Sequence, residues 1–103
     1  MNNVNTGIDA SDVKEILEII RKNKKIGEVI LFGSRAKGNF APGSDIDLAL
    51  KGQEITLNDI LDLYADLDTL DLPFRFDLVI YNRIKEKSLL DHIERVGINL
   101  FRR

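Results

Sequence analysis

Apolar positions along the 103-residue chain follow two different spacings. Val13, Ile16, Leu17 and Ile20 recur at i, i+3, i+4 and i+7, which predicts an amphipathic helix over 10–24. Asp9 is placed to cap it, and Ile8 and Val13 to pack across its first turn. Lys22, Lys24 and Lys25 suit the negative helix end, and Gly27 closes the unit. The continuous apolar run Val29-Ile30-Leu31-Phe32 reads as a buried strand. Residues 33–44, with Gly33, Gly38, Pro42 and Gly43, read as a loop with one helical turn after Ser34. Ile46, Leu48 and Leu50 then alternate with Asp45, Asp47 and Ala49, the period of a half-buried strand. Both aspartates therefore leave the same face.

The spacing turns helical again over 57–70, with Leu57, Ile60, Leu61, Tyr64, Leu67 and Leu70 as the apolar stripe and Pro73 as the stop. From Arg75 to Tyr81 the period returns to two, with Phe76, Leu78 and Ile80 on one face and Arg75, Asp77 and Val79 on the other. Ser88 is placed to cap a last helix, Leu89 to Val96, with Asp91 in its first turn. Gly97 ends that helix, and Ile98 to Phe101 reads as a short final strand. This order predicts an α+β fold, helices packed on a small mixed sheet. The length allows one domain, 1–103, with residues 1–7 loose.

Composition narrows the function more than the fold. The chain is 44% hydrophobic and 31% charged, an ordinary globular balance. A chain this short buries only about two thirds of its unfolded surface, so a partner subunit would help it. A net charge of −2 argues against a basic nucleic-acid-binding module. The acidic run Asp59, Asp62, Asp66, Asp68 and Asp71 reads as a solvated helix face. With no cysteine, disulfides, thiol catalysis and zinc–thiolate sites are excluded. The start MNNVNTGIDAS lacks the basic and apolar regions of a signal peptide, and no apolar run nears the roughly 20 residues of a membrane span. A cytoplasmic protein with no membrane contact is expected.

Candidate chemistry concentrates in LFGSRAKGNFAPGSDIDLAL, residues 31–50. Gly33 lets backbone come close to a ligand, and Ser34 adds a hydroxyl donor. Asp45 and Asp47, on one strand face, repel each other unless a cation sits between them. Magnesium on substrate phosphates is the usual hard-cation answer. Asp77 interrupts the apolar strand RFDLVIY, where a carboxylate is disfavoured unless paired or metal-bound. If the two strands are neighbours, three carboxylates converge beside Gly33-Ser34, the requirement of two-metal nucleotidyl transfer. Each feature alone has a bland reading, a connector or a solvated strand end. His92, mid-helix beside Asp91, reads as a surface residue, and Tyr64 and Tyr81 as packing.

GSRAKG followed by GSDIDLAL resembles the signature of the DNA polymerase β-like nucleotidyltransferases: Gly-Ser, ten residues (Arg35 to Ser44), then Asp-x-Asp. The wording LFGSRAKG is similar to the minimal nucleotidyltransferases (MNT) of that superfamily, whose third carboxylate Asp77 matches. The resemblance implies a polymerase β palm-like fold and transfer of AMP from ATP with two Mg2+ ions. It implies that Gly33 and Ser34 bind the triphosphate, with Arg35, Lys37 and Ser44 beside it. Asp45 and Asp47 would hold both ions, and Asp77 the catalytic ion and the acceptor hydroxyl. It further implies a helical HEPN ribonuclease toxin as partner, modified on a tyrosine, with this chain as its antitoxin. Three other readings stay open: neutralisation by binding alone, transfer to a small molecule such as an aminoglycoside, and transfer to a nucleic acid 3′ end, which the acidic balance disfavours.

Overall fold

The computed structural model describes residues 5–103. The elements are α1 (Ala10–Arg21), β1 (Glu28–Phe32), α2 (Gly33–Lys37), β2 (Ile46–Lys51), α3 (Leu57–Asp68), β3 (Phe76–Ile80), α4 (Lys87–Val96) and β4 (Ile98–Arg102), with one 3-10 turn at Tyr81–Arg83. The four strands form one mixed sheet in the order β3-β2-β1-β4. β1 runs antiparallel to β2 and β4, while β2 and β3 are parallel, joined by the α3 crossover. This is the α+β fold the alternating periods predict.

Strand periodicity sorts side chains onto two unequal faces. On one face Val29, Leu31, Ile46, Leu48, Leu50 and Leu78 meet Ile16 and Ile20 of α1 and Ile60, Leu63 and Leu67 of α3. On the other, Ile30, Phe32, Ala49 and Ile93 form a small buried cluster. Alternation puts Asp47 two residues before Ala49, and Asp77 two before Val79, on this second, thinly covered face. Among the described residues no helix is long and apolar enough to cross a membrane.

Several boundaries differ from expectation for local reasons. α1 stops at Arg21, because the Asn23 side chain accepts the N–H of Lys25 and Arg103 donates to the carbonyls of Arg21 (2.7 Å) and Asn23 (3.2 Å). Asp9 occupies the N-cap of α1 but makes no capping hydrogen bond. α4 starts at Lys87 with Glu86 as N-cap, so Ser88 lies inside the helix and Asp91 beyond its first turn. The buried stripe of α3 is rotated from the one its spacing predicts. Leu63 points inward, whereas Leu57 and Leu61 are 64% and 55% exposed. Tyr64 is partly exposed but its hydroxyl accepts the N–H of Leu78 on the edge strand, at 2.9 Å. Of the segment expected to be loose, residues 1–4 lie outside the described residues. Thr6 and Gly7 are tied down, the first by a hydrogen bond from Arg35 and the second by packing on Phe40.

Candidate active site

Strand register assembles the site. Asp47 pairs with Asp77 across the parallel β2–β3 ladder, and with Phe32 across the antiparallel β1–β2 ladder. Phe32 is the last residue of β1, so the next residue, Gly33, turns the chain away beside Asp47. Gly33 has φ +75°, a left-handed conformation that suits glycine. A Cβ there would run into the Asp47 carboxylate, so the two are in intimate contact. Asp45 precedes β2 by one residue and is exposed, as is Asp77, while Asp47 is half-buried.

The electrostatics follow from that row. Burial, and then the like charges of Asp77 and Asp45, push the Asp47 carboxyl up to about 6, against a smaller opposing pull from Arg35. Among the described residues no group of three or more His, Cys, Asp or Glu side chains stands close enough to hold a metal ion by itself. A positive charge among the three aspartates would relieve the repulsion that raises Asp47.

Arg35 corrects an expectation. It is 2% exposed, not turned toward a ligand. Its Nε and Nη2 donate to the Ser44 carbonyl at 3.1 and 2.9 Å, and Nη1 donates to the Thr6 carbonyl at 2.8 Å. Its guanidinium lies 4.8 Å from the ring centres of both Phe40 and Phe74. Three donors of the guanidinium thus close loop 38–45 over the turn. Ser44 belongs to the same closure, its Oγ accepting the N–H of Ala41 at 2.9 Å. Lys37 is exposed at the end of α2.

His92 is half-buried against the turn, not on the surface as expected. Its Nε2 accepts the N–H of Gly33 at 3.1 Å, across 59 positions of sequence. Its ring stands edge-on to Phe32, with centroids 6.1 Å apart. The signal was present: Leu89, His92, Ile93 and Val96 share the i, i+3, i+4, i+7 spacing, which puts His92 on the inward stripe of α4.

The family model described as polymerase beta, nucleotidyltransferase matches residues 14–103. The chain belongs to the polymerase β nucleotidyltransferase family. Within it, the chain resembles "Putative protein adenylyltransferase MJ0141" of Methanocaldococcus jannaschii, 30% identical over 98 aligned positions spanning 84% of this chain and 99% of the relative. A solved toxin–antitoxin complex with AMP-PNP matches with a TM-score of 0.73 and 26% identity, over 88% of this chain and 73% of that one. A complex of tri-AMPylated Shewanella oneidensis HEPN toxin with MNT antitoxin shares the fold, with a TM-score of 0.68 and 23% identity over 90% and 71% of the two chains. Asp47 and Asp77 lie on the half-covered face of the sheet, with Gly33 beside Asp47.

Proposed function

We propose that this nucleotidyltransferase transfers AMP from ATP to a hydroxyl of a protein acceptor. The acceptor is a tyrosine of a helical HEPN-type toxin, and the transfer makes this chain the antitoxin. The observation that carries the reading is the in-register pair Asp47–Asp77 beside the Gly33-Ser34 turn. The naming of the Methanocaldococcus relative as an adenylyltransferase and the AMP-PNP held by the toxin–antitoxin relative support the choice of reaction and nucleotide.

In this reading Ser34 donates to the triphosphate, and Gly33 contributes closeness of approach, since its own N–H is given to His92. Lys37 and the loop closed by Arg35 and Ser44 flank the nucleotide. Asp45, Asp47 and Asp77 would hold Mg2+, which when bound would neutralise charge on the triphosphate and make the acceptor hydroxyl more acidic. The acceptor oxygen forms a bond to the α-phosphorus, the bond from that phosphorus to the bridging oxygen breaks, and pyrophosphate leaves. The hydroxyl proton passes to Asp77, which is exposed and can take it.

The test is incubation of the chain with Mg2+, ATP labelled on the α-phosphate and a HEPN-type toxin protein. Label is expected on a tyrosine of that protein and none with Asp45→Asn. A tight complex without label would move the assignment to neutralisation by binding.

A further inference from the structure

The nucleotide-binding turn has a hydrogen-bond partner that comes from neither of its flanking strands. α4 packs against α2 and β1, and Ile93 anchors it in the small apolar cluster with Ile30, Phe32 and Ala49. That anchor carries His92 to the head of the turn, where it takes the Gly33 N–H and braces its ring on Phe32. On the other side of Gly33 the Asp47 carboxylate fills the space a side chain would need. Gly33 is thus held between an acceptor on α4 and a carboxylate on β2.

We propose that His92 is a positioning residue for nucleotidyl transfer. By accepting the Gly33 N–H it fixes the Gly33-Ser34 turn relative to the Asp47 carboxylate, so that triphosphate-binding and metal-binding groups are set to each other before substrate arrives. An Nε2 that accepts requires the neutral imidazole with its proton on Nδ1. Pre-set geometry of this kind is where a displacement near 1 Å costs heavily. The inference rests on the nucleotide reading given above.

The experiment compares the full chain with His92→Leu and His92→Gln. Leu keeps apolar packing on Phe32 but cannot accept, while the Gln carboxamide oxygen reaches toward the Nε2 position. AMP-PNP with Mg2+ is titrated calorimetrically, the Gly33 amide and His92 ring nitrogens are followed by 15N NMR, and melting is recorded for each variant. Expected are a Gly33 amide shift in His92→Leu and about tenfold weaker AMP-PNP binding, at a melting temperature near that of the unaltered chain. Recovery in His92→Gln to within about threefold is expected. Equal AMP-PNP affinity in all three proteins overturns the inference, as does a proton found on Nε2. If His92→Leu fails to fold, a His92→Gln protein that folds yet binds as weakly as a nonbinding control overturns it as well. No binding by the unaltered chain would instead bring down the nucleotide reading itself.

Discussion

The two faces of the sheet are made by the same strands and do opposite work. The α1/α3 face closes over Leu48, Leu50, Val29 and Leu31, all at or near zero exposure. The α4 face buries a cluster of four among the described residues and leaves Asp45 and Asp77 in solvent and Asp47 half out of it. The first face stabilises, and the second spends part of that stability on holding like charges together. The division teaches that a chain of 103 residues can carry a strained site when one helix layer alone makes the main core.

The sharpest way to break the comparison is to empty each face in turn. Leu48→Ala, at a fully buried position under α1 and α3, should cost about 3 to 4 kcal/mol. Ile93→Ala, in the small cluster, should cost nearer 2, because the thinner layer can settle into the gap. Urea unfolding of both variants measures this. Equal losses would mean that the second face is as tightly packed as the first.

Gly33→Ala tests the contact that joins the turn to the carboxylate. Its φ of +75° and the Asp47 oxygens in the way predict a loss of about 1 to 3 kcal/mol, together with loss of transferase activity. Full activity in that variant would show that the turn tolerates movement. Arg35→Lys comes next, at about 1 to 2 kcal/mol. Lysine cannot reproduce the fork to Ser44 and Thr6 or the two aromatic stacks. Protease nicking in loop 38–45 should rise along with it, and an unchanged cleavage rate would deny that Arg35 closes the loop.

How much of this was legible depended on the range of the interaction. Period-two alternation put Asp45 and Asp47 on one strand face and Asp77 off its apolar face without any tertiary knowledge, since pleating is local. That Asp47 faces Asp77 in register was not, because a parallel pairing across the α3 crossover is set by packing distant in sequence. Arg35 read as a ligand contact because a basic residue beside Gly-Ser looks available. Its partners, Thr6, Phe40, Ser44 and Phe74, span most of the chain. α3 offered two overlapping stripes, and only the sheet decides that Ile60, Leu63 and Leu67 face it rather than Leu57 and Leu61. The cap of α4 was misplaced because Ser88, a good capping residue, stands two positions after the true N-cap, Glu86. The strongest cap in the molecule, the reciprocal Thr56–Asp59 pair, was hidden in what read as a solvated acidic run.

The last expected effect has the opposite sign from the rest. The Asp47 carboxyl is raised from 3.8 to about 6, by burial first and then by Asp77 and Asp45. As pH rises through that window the unfolded chain gives up this proton before the folded one does. Asp47 therefore costs the fold nothing near pH 3.5 and its full penalty above about 6. Asp47→Asn should remove the penalty, raising stability by about 1 to 2 kcal/mol at pH 7.5, once solvent screening is allowed for, with no gain at pH 3.5. Mg2+ should narrow the gap from the other side by stabilising the unaltered chain and not the variant. Thermal melts at the two pH values, with and without Mg2+, decide it. A variant less stable at pH 7.5 would mean that the Asp47 carboxylate is held by favourable contacts, and that the half-open face is not under electrostatic strain.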